Sequence, residues 1–142
     1  MARTWLAGCL SLFAALLIHE IVAFGYFRGF LTGEREMVSY FYPSGVGEIV
    51  AVNALTAAVM ALPLALIAWF KTNIRPLIVP LGITWLALCL WGYFSTASGY
   101  RAHFGTTWLP HEPFLELMWS PVLTPLSTLI GIGPFMWAIR RP

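Results

Sequence analysis

Residues 47–70 read GEIVAVNALTAAVMALPLALIAWF, and the only charged side chain in this stretch is Glu48. An α-helix needs about 20 apolar residues to cross a hydrocarbon core of about 30 Å, so the stretch predicts a membrane-spanning helix. Small residues recur along it at alternating spacings of about three and four, which places them on one helix face. They are Gly47, Ala51, Ala54, Ala58, Ala61, Ala65 and Ala68.

The composition of the whole chain supports a membrane location. Of its 142 residues, 59% are hydrophobic and 10% are charged, and it contains no aspartate. Soluble domains average about 45–50% apolar and about 25% charged residues. So few charges exclude a disordered chain, a soluble globule and a nucleic-acid-binding protein. We therefore expect residues 1–142 to form a single domain of an integral membrane protein.

Three further apolar stretches have the length of a membrane span. The four predicted spans cover residues 5–27, 47–70, 77–100 and 114–139, which predicts an all-α bundle of four transmembrane helices. We expect the first to remain a spanning helix, because no small-x-small cleavage site follows it. The fourth contains several prolines and glycines, so we expect a kink or a break in it.

The distribution of charge predicts the orientation. With the N-terminus inside, five basic residues lie on the cytoplasmic side (Arg3, Lys71, Arg75, Arg140 and Arg141) and three on the other (Arg28, Arg35 and Arg101). Basic residues concentrate in cytoplasmic loops, so both termini are predicted to be cytoplasmic. Together with the absence of a glycosylation acceptor, this bias favours a bacterial inner membrane.

The seam formed by Ala51, Ala54, Ala58, Ala61 and Ala65 allows two interpretations. Lipid provides no hydrophobic drive for helix association, so close approach of backbones across small residues must supply it. The seam either packs against another helix of the same chain or docks a second subunit.

Polar residues of different spans fall at a similar predicted depth. From the helix rise, His19 lies about 21 Å above Trp5, and Asn53 lies about 25 Å above Phe70. Thr124 lies about 18–22 Å above the inner interface by the same rise. Ionisable groups at such depth are costly and commonly functional. We therefore take this layer as a candidate ligand-binding or proton-handling site, with His19, Glu20, Glu48, Asn53, Thr96 and Thr124 as its members. In the structural alternative, His19 bonds to Asn53 or a threonine, and Glu20 lies near the interface.

A second cluster combines imidazole and carboxylate groups on the outer side. His103, His111, Glu112 and Glu116 are ligand types that suit a transition metal such as zinc, iron or copper. Their spacing matches no established metal motif, and a solvated acidic loop is the alternative. Haem ligation by His19 and His103 together would require the chain to fold back, because the helix rise separates them by about 18 Å.

The predicted function is association within the membrane. Packing surfaces are present without a complete catalytic set, so we expect a non-catalytic accessory, assembly or docking subunit of a larger membrane complex. Its predicted partners are membrane lipid and other membrane subunits or further copies of itself. One alternative is a redox or proton-handling protein that binds a quinone, a haem or a transition metal at the polar layer. A second is a small oligomeric transporter that uses the broken fourth span as a gate.

Overall fold

A computed structural model describes residues 2–24, 46–69, 75–104 and 109–140, and within these ranges the chain is helical with no strand. Most of the connection between the first two predicted spans, residues 28–46, and most of the basic connection between the second and third, residues 71–76, lies outside the described residues. The all-α prediction is confirmed for the part of the chain that the structure covers.

Five α-helices, numbered here in chain order, lie within the described residues. Helix α1 spans Ala2–His19 and continues into a π-helical turn at Glu20–Phe24. Two shorter helices follow, α2 at Val46–Met60 and α3 at Leu62–Trp69. A 3₁₀ turn at Arg75–Leu77 leads into α4, Ile78–Phe104, and a second π-helical turn at Phe114–Met118 precedes α5, Leu123–Arg140.

Three helical stretches are long and apolar enough to cross a membrane. They are Ala2–Val22, Val46–Trp69 and Ile78–Gly99, and they correspond to the first three predicted spans. The fourth predicted span, residues 114–139, is not among them. The structure replaces it with two pieces, because the chain leaves the helical conformation between residues 119 and 122.

Local residues explain the break in the fourth predicted span. Pro121 lies within it, and Trp119 has an extended backbone with φ −68° and ψ 127°. Ser120 starts α5 as a helix cap, since its Oγ accepts the Leu123 N–H at 3.2 Å. The predicted interruption is therefore found upstream of Thr124, whereas Pro134 lies inside the continuous helix α5.

The second span carries an interruption that the sequence analysis did not predict. A turn at Ala61 separates α2 from α3, two residues before Pro63. Proline lacks an N–H and crowds the carbonyl four residues earlier, which weakens a helix at this point. The hydrogen bonds from Ala61 N to Ala57 O (3.0 Å) and from Ala65 N to Ala61 O (3.2 Å) nevertheless continue across the turn. The two helices therefore form one membrane-length segment, Val46–Trp69.

Helix α1 lies at the centre and contacts each of the other α-helices. It runs antiparallel to α5, because Arg3 Nη2 at its start donates to Ala138 O near the end of α5 at 2.8 Å. Gly8 meets Ala61 and Glu20 meets Asn53, so α1 also runs antiparallel to the α2–α3 segment. Farther along, the Trp85 indole of α4 donates to Ser11 Oγ at 2.7 Å.

The core of α4 is a line of residues four positions apart. They are Leu81, Trp85, Cys89, Tyr93 and Ala97, and each is almost completely buried. Positions four apart share one helix face, so this line turns a continuous surface toward α1 and α5. Its two polar members, Trp85 and Tyr93, both find hydrogen-bond partners inside the fold, as buried indole and phenol groups usually do.

Candidate functional site

His19 is the central residue of a buried polar cluster. It is the last residue of α1 and only 2% exposed. Its Nε2 lies 3.0 Å from Thr124 Oγ1 of α5. The imidazole stacks on the Tyr93 ring, with centroids 3.9 Å apart and planes inclined by 22°, and on Phe114 at 6.3 Å. The ring is therefore fixed by one hydrogen bond and two aromatic neighbours.

Thr124 connects His19 to the start of α5. Its Oγ1 accepts the backbone N–H of Ser120 at 3.0 Å, so the hydroxyl helps to cap the helix from within. Since the hydroxyl has two lone pairs and one proton, it can still donate a hydrogen bond to His19 Nε2 or accept one from it. One hydroxyl group thus orders both the helix start and the imidazole.

Glu20, the next residue in the chain, points to a different helix. It is 3% exposed, and its carboxylate accepts a hydrogen bond from Asn53 Nδ2 of α2. Asn53 Nδ2 also donates to Ile49 O at 2.9 Å, one turn earlier in its own helix. Consecutive helical residues are about 100° apart, so His19 and Glu20 together link α1 to helices on two sides. Glu20 is therefore buried between helices of the fold.

Tyr93 belongs to the cluster, although the sequence analysis did not select it. Its hydroxyl lies 2.9 Å from Ser127 Oγ and 3.2 Å from Thr128 Oγ1. Both of those hydroxyls donate to Thr124 O, at 3.0 and 2.8 Å, so the single phenol proton is available to one of their oxygens. The signal in the sequence was its spacing of four from Cys89 on an otherwise apolar face of α4.

The structure does not unite all members of the predicted polar layer. His19, Glu20, Asn53 and Thr124 come together as described, whereas Thr96 and Glu48 are half-buried. Among the residues with described positions, no hydrogen bond joins Thr96 or Glu48 to the cluster. Glu48 lies in the first turn of α2, where a negative charge is favourable because of the helix dipole.

The candidate metal ligands lie apart from this cluster. His111 and Glu116 are exposed, and Glu112 Oε2 accepts the Leu109 N–H at 2.6 Å across a turn. The His103 side chain is outside the described part of the structure. Within that part, no three His, Cys, Asp or Glu side chains gather as a metal site would require. His111 lies in a turn, and Glu116 lies in the π-helical turn Phe114–Met118.

The alanine seam is divided between the interior and the surface. Ala61 and Ala65 are buried, and a Cβ added to Gly8 of α1 would lie 3.2 Å from the Cβ of Ala61. Ala58 is half-buried, and Ala51 and Ala54 are exposed. The upper part of α2 instead buries Ile49, Asn53 and Ala57. The seam therefore packs closely against α1 at Ala61 and is open at Ala51 and Ala54.

The chemical capacity of the cluster follows from its groups. Imidazole, hydroxyl and carboxyl groups can accept and release protons, and their enclosure in apolar surroundings strengthens each interaction. His19 Nε2, one of the two imidazole nitrogens that can bind a metal, is hydrogen-bonded to Thr124 in this structure. Comparisons with protein-family models, with curated proteins and with solved structures found no match for this chain.

Proposed function

We propose that this protein is a small multi-pass membrane subunit that acts by docking to other membrane proteins. The observation that carries the proposal is the divided seam: small residues that pack closely against α1 at Ala61 continue along the same helix to Ala51 and Ala54, which are exposed. Small exposed residues let the backbone of a neighbouring transmembrane helix approach closely. The open end of the seam is the proposed docking surface.

A substitution that fills the open seam tests this proposal. Ala54→Leu places a bulky side chain on the docking surface, whereas Val52→Leu enlarges a neighbouring exposed side chain on another side of α2. A tagged chain is purified in mild detergent, and co-eluting proteins are identified and quantified by mass spectrometry. We expect a stoichiometric membrane partner that Ala54→Leu removes and Val52→Leu retains. A partner unaffected by Ala54→Leu, or no stoichiometric partner of the unmodified chain, would contradict the proposal.

The proposed placement is a bacterial inner membrane, with α5 as a fourth span and both termini in the cytoplasm. The hydrogen bond from Arg3 to Ala138 O supports it, because it holds the beginning of α1 beside the end of α5. The excess of basic residues on that side supports the cytoplasmic assignment. Terminal reporter fusions test it: we expect an N-terminal and a C-terminal fluorescent reporter both to be active in the cytoplasm, and an active periplasmic phosphatase at either end would contradict it.

A proton-handling or redox role is the second candidate. It is favoured by the adjacent burial of His19 and Glu20, because ionisable residues inside a membrane are commonly functional. Under this proposal the purified protein shows a visible absorption band, a bound metal ion or a quinone-dependent activity, and His19→Ala removes it. A colourless, metal-free protein without such activity would eliminate this candidate.

A further inference from the structure

The turn at Ala61 interrupts the hydrogen bonding of the second span. In an α-helix, each carbonyl oxygen accepts the N–H four residues later. A helix that ends at Met60 and resumes at Leu62 lacks three such bonds in a row, and Pro63 could not form its own because it has no N–H. Within the described stretch Val46–Trp69, the oxygens left without their helical donors are those of Ala58, Val59 and Met60.

The indole of Trp5 supplies a donor to one of these oxygens. Trp5 Nε1 of α1 lies 3.2 Å from Ala58 O and donates to it. The ring is half-buried and packs against the hydrophobic core. A carbonyl group without a donor is costly in hydrocarbon, and neighbouring helices commonly satisfy the backbone groups that a proline frees. Trp5 thus takes the place that the Leu62 N–H has in a continuous helix.

The Leu62 N–H has no acceptor among the described residues as a result of this arrangement. A backbone in which Leu62 donates to Ala58 O would satisfy this group, and the Trp5 indole would then need another acceptor. Trp5 lies in the first turn of α1, so water or a lipid headgroup at the end of that helix can accept its N–H. Both arrangements therefore use Ala58 O, and each has a cost that the other avoids.

We propose that Ala58 O is the exchange point of a conformational switch in the second span. In the state that the structure shows, it accepts the Trp5 indole N–H, and the helix is interrupted at Ala61. In the second state it accepts the Leu62 N–H, so that helical bonding continues past Met60 and the indole is released. The balance between the states is then set by the packing of the indole in the core against the hydration of its N–H.

The contacts of α1 on either side of the interruption leave it free to change. Glu20 accepts a hydrogen bond from Asn53 in α2, and Gly8 lies closely against Leu64 in α3. Proteins commonly absorb changes of backbone dihedral angles at a few residues where helical elements end. The direction of α2 relative to α3 can therefore change at the turn while both contacts remain. Since α2 carries the proposed docking surface, the switch would also reorient that surface, a consequence that rests on the function proposed above.

Amide hydrogen exchange of the full chain, followed by NMR in detergent micelles, tests the exchange of donors. The Ala61 and Ala65 amides are internal standards, because both are hydrogen-bonded along the segment. We expect the Leu62 amide to exchange faster than both in the unmodified chain. Trp5→Phe removes the indole N–H, so the Leu62 N–H should bond to the freed carbonyl and exchange more slowly by about twofold to tenfold, the range of one intramolecular hydrogen bond.

Trp69→Phe is the matched control for Trp5→Phe, since it removes an exposed indole at the end of the same segment. It should leave the Leu62 amide unchanged. A Leu62 amide that already exchanges as slowly as its two standards in the unmodified chain would overturn the proposal. The same holds for a Leu62 amide that Trp5→Phe does not slow.

Pro63→Ala tests the switch without altering α1. It gives Val59 O an N–H donor and so favours the continuous helix. With Trp5 unchanged, we expect slower exchange of the Leu62 amide and faster exchange of the Trp5 indole N–H, by about twofold to tenfold each. Pro134→Ala, which removes a proline inside α5, is the control and should change neither rate.

Two results with Pro63→Ala would overturn the proposal. One is a Leu62 amide that exchanges as in the unmodified chain. The other is an indole N–H that stays protected while Leu62 becomes protected, because Ala58 O would then accept both donors at once and nothing would be exchanged. Both measurements use the purified chain without a partner, so their failure would be distinct from a failure of the docking proposal.

Discussion

Gly131 of α5 lies directly against the indole of Trp85. A Cβ built on Gly131 would be 2.7 Å from Cη2 and Cζ2 of that ring and 2.8 Å from the Cβ of Ala15. Such distances do not occur between real side chains, so the glycine is required by the contact of three helices. The largest buried side chain of the fold is thus accommodated by the absence of one on α5.

We therefore predict that Gly131→Ala destabilises the protein by about 1–3 kcal/mol, the usual cost of overpacking a core. The measurement is unfolding in mixed micelles. Gly99→Ala in α4 is the matched control, since a Cβ there would meet nothing within 4 Å. The control should be neutral or slightly stabilising, because alanine favours a helix more than glycine does. Equal effects of the two substitutions would show that Trp85 does not lie as described.

The hydroxyl of Thr124 should stabilise the fold through its hydrogen bonds, in addition to the packing of the side chain. Thr124→Val removes the partner of both His19 Nε2 and the Ser120 N–H while nearly preserving side-chain volume. Leaving a buried group without a partner costs about 1–3 kcal/mol, so we expect a loss of that size for each group that finds no substitute. Thr124→Ser keeps the hydroxyl and is expected to lose less stability in the same unfolding assay. If valine were tolerated as well as serine, the His19–Thr124 bond would have no energetic role.

The pairing of Glu20 with Asn53 can be tested by exchanging its chemistry. Asn53→Asp replaces the amide donor by an acceptor beside the Glu20 carboxyl group, so the two groups repel or one must bind a proton. We expect a strong loss of folded protein, measured as the monodisperse fraction after gel filtration. Adding Glu20→Gln to Asn53→Asp restores a donor opposite the acceptor and should recover most of the loss. Failure of this double substitution, with Glu20→Gln alone tolerated, would contradict a direct pairing.

Tyr93→Phe should have a smaller effect than Thr124→Val. The Ser127 and Thr128 hydroxyls retain Thr124 O as an acceptor after the phenol is removed, and the stacking on His19 is kept. We expect a cost of about 0.6 kcal/mol, the average found for one side-chain hydrogen bond between helices in a membrane. The measurement is the same unfolding assay. Tyr93→Leu, which also removes the stacking, is the comparison, and a loss no larger than that of Tyr93→Phe would show that the ring contact contributes nothing.

The sequence was sufficient to predict three helices long and apolar enough to cross a membrane, and the meeting of His19 with Thr124. Hydropathy and the helix rise fix where a residue lies along a helix, and His19 and Thr124 indeed meet at one level. They do not fix the rotation of each helix about its axis, which depends on packing with neighbours. For this reason the predicted seam included Ala51 and Ala54, which are exposed, and omitted Ala57, which is buried.

Residues recognised only from the structure have a common physical origin. In the sequence, Tyr93 and Trp85 read as lipid-facing or core aromatics. Only the structure shows that their polar groups form hydrogen bonds to Ser127 and Ser11 on other helices. The turn at Ala61 lies two residues before Pro63. Because many transmembrane helices tolerate a proline, the presence of Pro63 in the sequence did not by itself predict the turn.

The separation of 105 positions between His19 and Thr124 has a consequence for biosynthesis. At about 5–20 residues per second, a ribosome needs roughly 5–20 seconds to produce the later residue after the earlier one. During that interval the imidazole is already in or near the bilayer without its final hydroxyl partner. The His19–Thr124 bond can therefore form only in the last step of synthesis, after the first helix has been without this partner for that time.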